Sequence, residues 1–398
     1  MKVYFLIMNA YSTGGTIRTT FTTASALAEH HDVEIVSVYR RRNEPRFDLD
    51  PRVRLRALSD ESPERRQRQA GDRRPHRRVR RRLTRWLRQR PSRLIFKGDI
   101  RYRNFSLVTD VKLYRFLRSV HDGVLISTRP GLNLAVARWA RPEVVRVAQE
   151  HLYVARYKPP LREQIDRHYP RLDMVSALTE RDAEDYRSLL GDSTRIVCMP
   201  NAVPDNAGAR AGGDSKVVIS AGRLTRQKGF DRLIPAFAKV AAEHPDWTLR
   251  IFGSGDLRER LQRQIDDLEL QDNVELMGFT DRLYQEMSGA AMYVMSSRFE
   301  GFPMVLLEAM GCGLPVVSFD CPNGPRDLVT EGVDGLIVDN GDVDGLTAAI
   351  STLISDDERR KAMGRAALKT AESYASGVLG AKWERLLTEL AAEKPEKR

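Results

Sequence analysis

Short runs of β-branched and apolar residues alternate with segments of helical period along most of the chain, and the rhythm restarts once in the middle. In the first half the apolar runs fall at 2–8, 32–39, 123–127, 144–148, 174–178 and 195–199, with helical patterns at 19–30 and 179–190. In the second half they fall at 216–221, 248–252, 274–277, 292–295 and 315–319, with helical patterns at 231–243, 257–268 and 303–312. This alternation predicts parallel sheets covered by helices on both faces. Residues 200–215 are rich in proline and glycine, lack apolar periodicity, and read as a linker between domains at 1–199 and 216–375. At 376–398, Leu379, Trp383, Leu386, Leu387 and Leu390 recur at helical spacing and predict a terminal helix that packs back on the body. The expected fold is therefore α/β, with two Rossmann-like, doubly wound parallel-sheet domains. Facing each other, they would place the carboxyl ends of their strands, where such sheets bind ligands, on one central cleft.

Charge is distributed unevenly. The 398 residues carry a net charge of +11, yet residues 62–103 alone hold 17 Lys+Arg against 3 Asp+Glu. Without that segment the chain is slightly acidic, which excludes a nucleic-acid binder with basic faces throughout and leaves a near-neutral body with one cationic insertion. Within the insertion Val79, Leu83, Trp86 and Leu87 recur at helical spacing amid Arg78, Arg80, Arg81, Arg82, Arg85 and Arg88. A basic amphipathic helix of this kind suits an anionic membrane surface, with its tryptophan among the headgroups, or a polyanionic acceptor such as a phosphate-linked polymer. The alternative is a solvated insertion with no partner; nucleic acid is disfavoured by the scarcity of interleaved aromatics. Cys198, Cys312 and Cys321 are odd in number and lack metal-ligand spacing, as expected of free thiols in a reducing compartment. No apolar run approaches the roughly 20 residues of a membrane span, and the opening run ending at Met8 leads into a glycine loop, so it reads as a strand rather than a signal peptide.

Three constellations carry chemistry. The strand ending at Ala221 is followed by Gly222-Arg223 and, five residues on, by Lys228-Gly229 at the start of a helix. Two cations beside a helix amino terminus suit a diphosphate, because the dipole and the free N–H groups add to their field; two solvated surface cations are the alternative. Gly253-Ser254-Gly255 follows another strand, where a glycine pair would let backbone approach a ligand closely or would simply make a turn. The third, from Ser296 through Glu300-Gly301-Phe302-Pro303-Met304 to Glu308, again leaves a strand and enters a helix. Pro303 fits a first helical turn, so Gly301, Phe302 and Met304 are candidates to offer N–H groups to an anion. Glu300 at the mouth and Glu308 deeper would hold two hydroxyl-bearing groups of one extended ligand; a capping acid with a surface acid is the plain alternative.

Gly222-Arg223 with Lys228-Gly229, then Glu300 and Glu308 in this spacing, resembles glycosyltransferase family 4, the retaining enzymes of GT-B architecture. Gly311-Cys312-Gly313-Leu314-Pro315 and Gly332-Val333-Asp334-Gly335 fit the same pattern, closely over 216–355 and loosely in the amino-terminal half. The resemblance implies that Arg223 and Lys228 neutralise the diphosphate of a nucleotide sugar, UDP being favoured. It implies that Glu308 binds the ribose hydroxyls, Glu300 the donor sugar, and Gly301 to Met304 sugar and phosphate through backbone. Contacts to the base would come from the loop between Phe279 and Leu283. In such enzymes Gly14-Gly15 approaches the donor phosphate and His151 contacts the transferred sugar; Arg129, after another strand, is a candidate for touching the acceptor. No essential metal or other cofactor is implied. The 321–327 stretch resembles a loop of bacterial members that act on cell-surface polymers, with a proline-rich turn as its plain alternative. The expectation is a cytoplasmic transferase, peripheral on the inner face of the membrane, acting on a glycan, lipid or anionic-polymer acceptor. A sugar-nucleotide epimerase, a phosphorylase and a non-catalytic glycopolymer-binding module stand as alternatives.

Overall fold

Continuous apolar strands need both faces covered, and every pairing between the named strands is parallel. The computed structural model describes residues 1–65, 84–203, 208, 210–212, 214–322 and 324–394. It divides the chain into two compact units, Met1–Ala202 with Ser376–Arg398, and Val203–Ala375.

The first unit contains β1 (Lys2–Ile7), β2 (Asp32–Arg40), β3 (Arg54–Asp60), β4 (Val124–Ser127), β5 (Val145–Gln149), β6 (Met174–Ala177) and β7 (Arg195–Cys198). They lie in the order β3-β2-β1-β4-β5-β6-β7. One face packs Val3, Phe5, Phe21, Ile35 and Val147 together with Trp383 and Leu387 of the helix Ser376–Glu393. The other packs Leu6, Val36, Leu125, Leu132 and Ile165. Gly380 of that last helix crosses the helix Gly15–Leu27 so closely that a Cβ on it would lie 2.7 Å from the Cβ of Ala26.

The second unit contains β8 (Val217–Ala221), β9 (Thr248–Phe252), β10 (Val274–Gly278), β11 (Met292–Met295), β12 (Val316–Asp320) and β13 (Gly335–Asp339), in the order β10-β9-β8-β11-β12-β13. Its core joins Val218, Leu249, Ile251, Val294 and Val317 to Phe237 and Val240 of the helix Phe230–Glu243 and to Leu346 and Ile350 of the helix Val343–Ser355. Part of the expected linker belongs to this unit: Val203 N–H donates to Tyr374 O at 2.9 Å, and Ala211 N–H to Cys312 O at 2.8 Å.

The last third of the cationic insertion is woven into the first unit. Ile95 and Ser92 are buried, and the buried carboxylate of Asp110 accepts hydrogen bonds from Ser92 Oγ at 2.6 Å, Arg93 N–H at 2.6 Å and Leu94 N–H at 3.1 Å. Of the expected amphipathic helix, Val79, Leu83 and the arginines from Arg78 to Arg82 lie outside the described residues. Trp86 lies where the described residues 84–89 are helical and is 49% exposed, with Arg90 stacked 5.0 Å from its ring centre. No described helix is long and apolar enough to cross a membrane.

Candidate active site

The strand order of the second sheet reverses between β8 and β11, and doubly wound sheets bind ligands outside the carboxyl ends of the strands at such a point. The loops 222–229 and 296–303 leave these two strands and touch backbone to backbone. Gly229 makes this contact possible: its φ is +69°, and a Cβ there would lie 1.9 Å from Ser296 O. Arg298 N–H donates to Gln227 O at 2.8 Å, Gln227 Nε2 to Phe299 O at 3.1 Å, and Ser296 Oγ to Lys228 O at 3.0 Å. Outside these, the Arg298 guanidinium grips Asp231 through two bonds of 2.7 Å. That grip holds the Asp231 carboxyl below the usual carboxylate range, against the effect of burial.

Lys228 and Glu300 meet in this junction. Lys228 Nζ lies 2.7 Å from Glu300 Oε1, and Ser297 Oγ donates to the same oxygen at 2.5 Å. Glu300 is only 5% exposed, and a carboxylate taken out of water needs such compensation. The lysine stem folds back over Gly222, where a Cβ would lie 3.0 Å from Lys228 Cδ and Cε. Arg223 differs: it is exposed, and its guanidinium has no partner among the described residues. The site therefore presents one neutralised cation and one available cation. Cys321 lies against it, and burial together with the Glu300 charge pushes its thiol up to about 12, so it is a packed, neutral group. Tyr293, whose hydroxyl donates to Ala221 O at 3.2 Å, is raised by burial first and then by Glu300.

The helix Met304–Gly311 carries Glu308 inward to 3% exposure between the buried Leu307 and Ala309. Pro303 stands just before this helix rather than inside its first turn, and Met304 N–H donates to Phe302 O at 2.9 Å. Of the three N–H groups expected to face an anion, that of Met304 is thus already engaged, leaving Gly301 and Phe302 in the assignment. The 321–327 stretch braces this turn. Gly324 has φ +112°, a Cβ on it would lie 2.3 Å from Pro303 Cδ, and Glu300 N–H donates to Pro322 O at 3.3 Å.

Gly253 is approached closely by protein backbone: φ is +141°, and a Cβ would lie 1.8 Å from Gly222 O. Gly222 N–H donates to Phe252 O and Leu224 N–H to Ser254 O, each at 2.9 Å, so the 253–255 turn supports the loop that carries Arg223. Phe279 is 80% exposed on the loop leaving β10, and Leu283, part-buried, opens the helix Leu283–Ser288 beyond it.

The first sheet reverses between β1 and β4. Gly14, at φ +144°, precedes the helix Gly15–Leu27, and a Cβ on Gly14 or Gly15 would meet nothing within 4 Å, so this helix start is open. Arg129, a candidate for touching the acceptor, is spent inside the unit. Its Nη2 lies 2.8 Å from Oδ1 of the buried Asp99, whose Oδ2 accepts from Gly131 N–H at 3.0 Å. A sequence places these partners 30 residues apart, and nothing in the composition around Asp99 marks it as the anchor.

His151 follows β5. Its Nε2 is sealed from solvent and has no hydrogen-bond partner among the described residues, and burial lowers its pKa to about 4. The imidazole is therefore neutral at physiological pH. Unfolded, it would take up a proton near pH 6.5, so the unfolded chain binds more protons between pH 6.5 and 4, and stability falls as pH drops through that window. A His151→Asn variant is expected to show a shallower loss of stability than the parent between pH 6.5 and 4, read by denaturant unfolding at each pH. Parallel curves would contradict the lowered imidazole pKa. Among the described residues no group of three or more His, Cys, Asp or Glu is arranged to hold a metal ion.

Comparison with known proteins gives this geometry a family. Residues 206–370 match the family model described as glycosyl transferases group 1. An exopolysaccharide phosphotransferase of Streptomyces coelicolor is 35% identical over 401 residues, covering 100% of this chain and 42% of the relative. A poly(glycerol-phosphate) alpha-glucosyltransferase of Bacillus subtilis is 32% identical over 206 residues, covering 51% of this chain and 31% of the relative. The chain thus spans less than half the length of either of these curated relatives. A crystal structure of a mutant TarM of S. aureus, in complex with fondaparinux, alpha-GlcNAc-glycerol and UDP, superposes with a TM-score of 0.74 at 17% identity. It covers 97% of this chain and 100% of that one, and shows a shared GT-B fold. The family match lies over the very loops that bring Lys228 to Glu300, so it is residues 206–370 that tie this chain to the glycosyl transferases group 1.

Proposed function

We propose that the chain is a retaining glycosyltransferase that moves a sugar from a nucleotide sugar, UDP-sugar favoured, to a glycan, lipid or anionic-polymer acceptor of the cell envelope, forming an α-linkage. The observation that carries this reading is the Lys228–Glu300 pair beside the unpartnered Arg223 at the reversal point of the second sheet. A donor diphosphate would settle on Arg223 and draw on the remaining N–H donors of Lys228, which an ammonium can share between Glu300 and a phosphate oxygen. As the bond from the sugar's anomeric carbon to phosphate breaks, negative charge grows on the diphosphate and positive charge on the ring. The two cations and the N–H groups of Gly301 and Phe302 stabilise the first, and the Glu300 carboxylate the second. The acceptor hydroxyl attacks on the face the diphosphate leaves, and its proton passes to the departing phosphate. Glu308 takes the ribose hydroxyls, and the exposed Phe279 with Leu283 borders the base. No metal is required where fixed cations take the charge.

Gly14, Gly15 and His151 are assigned to the same reaction by resemblance; a neutral Nε2 suits acceptance of a sugar hydroxyl. UDP in the solved relative and the glycerol-phosphate polymer of the Bacillus relative support the donor and acceptor classes. A thermal-shift screen of UDP-, GDP- and ADP-sugars, followed by product analysis with the best binder, tests the reading. The expected result is stabilisation by a UDP-sugar and an α-linked product; an epimerised nucleotide sugar, a sugar phosphate, or binding without turnover would select the epimerase, phosphorylase or binding-module alternative.

The same reading puts the reaction at the cytoplasmic face of the membrane, with residues 62–103, nine of whose arginines fall in 66–83, drawn to anionic lipid. Within 91–103, Ser92, Ile95 and Asp99 are packed into the first unit, while Arg93, Lys97, Arg101 and Arg103 stay exposed to the same lipid. Replacing the nine arginines with glutamine should abolish co-sedimentation with anionic liposomes and leave the fold intact; unchanged sedimentation would remove the membrane role.

A further inference from the structure

We infer that Glu150 is a positioning residue for His151, holding the turn that carries the imidazole through three hydrogen bonds to one buried carboxylate; this rests on the proposed part of His151 in transfer. Glu150 is 1% exposed and forms no ion pair among the described residues. Oε1 accepts from Asn133 Nδ2 at 2.8 Å and from the Tyr169 hydroxyl, and Oε2 accepts from the Tyr157 hydroxyl at 2.8 Å. Ser127 Oγ donates to Asn133 Oδ1 at 2.6 Å, which orients the amide so that its N–H groups face Glu150. These partners come from the end of β4, the helix Pro130–Trp139, the turn after His151, and the single turn Tyr169–Arg171.

The chemistry explains why an acid in this place does more than fill space. Burying a carboxylate without a cation is costly, and burial raises the Glu150 carboxyl while its hydrogen bonds oppose that rise. An apolar side chain of similar size would avoid the cost but could not direct three polar groups. The backbone on either side is equally fixed. Glu150 N–H donates to Ser176 O at 2.9 Å, which extends the β5–β6 ladder up to the residue before His151. The Tyr157 carbonyl accepts from Arg162 Nε at 2.9 Å, closing the far end of the turn. The turn from 151 to 157 is thus held at Glu150, the residue before it, and at Tyr157, its last residue, and the Glu150 carboxylate joins the two. His151, between them, needs that rigidity because misplacement of a contact by about 1 Å can cost ~100-fold in rate.

The test is a double-mutant cycle on the full chain with the best UDP-sugar and its acceptor. Tyr157→Phe removes one bond to Glu150 and leaves two. It is expected to lower kcat about 10-fold with the donor KM unchanged, and to lower it less than about two-fold further in a His151→Ala background. Glu150→Gln should retain more turnover than Glu150→Ala, since its amide still offers an oxygen to one set of donors. An equal fractional loss from Tyr157→Phe with and without His151, or no loss in the parent, would overturn the inference. Parental turnover in His151→Ala would instead remove the proposed role of His151, and the positioning role with it.

Discussion

A Lys228→Ala variant is expected to lose sugar transfer and, at the same time, to weaken the second unit. Two distinct costs combine in this one side chain. The ammonium is the partner of a carboxylate whose side chain is 7% exposed, and the lysine side chain itself is 17% exposed. Removing it leaves the Glu300 charge, among the described residues, with the hydrogen bond from Ser297 Oγ. For a fully buried pair that loss amounts to about 3–5 kcal/mol, and the residual access to water here points to roughly 1–3 kcal/mol. The second cost falls on the reaction, where loss of a preorganised group facing developing charge lowers kcat by about 10²–10³-fold. The two separate cleanly in a pair of variants. Lys228→Met with Glu300→Gln removes both charges and should restore most of the stability, measured by urea unfolding, while transfer stays absent. Recovery of turnover in that double variant would detach the ion pair from catalysis.

Gly253→Ala should be the most destabilising of the single-methyl changes at the site. At φ +141° an L side chain is strained before any contact is counted, and its Cβ would lie 1.8 Å from Gly222 O. Strain and overpacking each cost about 1–3 kcal/mol, so ~3 kcal/mol or more is expected in unfolding experiments. The displaced group is backbone of the loop that bears Arg223, so affinity for UDP should fall with stability. Gly15→Ala provides the contrast: nothing lies within 4 Å of the added methyl at the open start of its helix. Its stability should change by less than about 1 kcal/mol. Similar unfolding curves for the two variants would contradict the packing described for the 222–224 and 253–255 turns.

The interior strands were legible in the sequence because both faces are covered and their residues are mostly apolar, with single arginines in β5 and β9. Of the four edge strands, β7 and β10 were legible as well, but β3 and β13 were not. β3 reads Arg54-Leu55-Arg56-Ala57-Leu58-Ser59-Asp60, with charges that suit an edge exposed to water and hide the strand. β13 starts at Gly335, where a Cβ would lie 2.6 Å from Val316 O, so its glycine marks close strand approach rather than a break. At the site, residue types and their places after strands could be read directly. Their partners could not: Lys228 finds Glu300 from 72 positions away and Arg129 finds Asp99 from 30, pairings fixed only when loops meet in three dimensions. Glu150 stood beside His151 in the sequence, yet only the convergence of Asn133, Tyr157 and Tyr169 gives it a task.

Release of free nucleotide diphosphate from a panel of UDP-, GDP- and ADP-sugars, followed over time without acceptor, tests the central claim most directly. Slow hydrolysis of a UDP-sugar by the parent chain, lost in Arg223→Ala and in Glu300→Ala while both variants remain folded, is the predicted result. Failure to release diphosphate from any donor, or release at the parental rate by both variants, would contradict it.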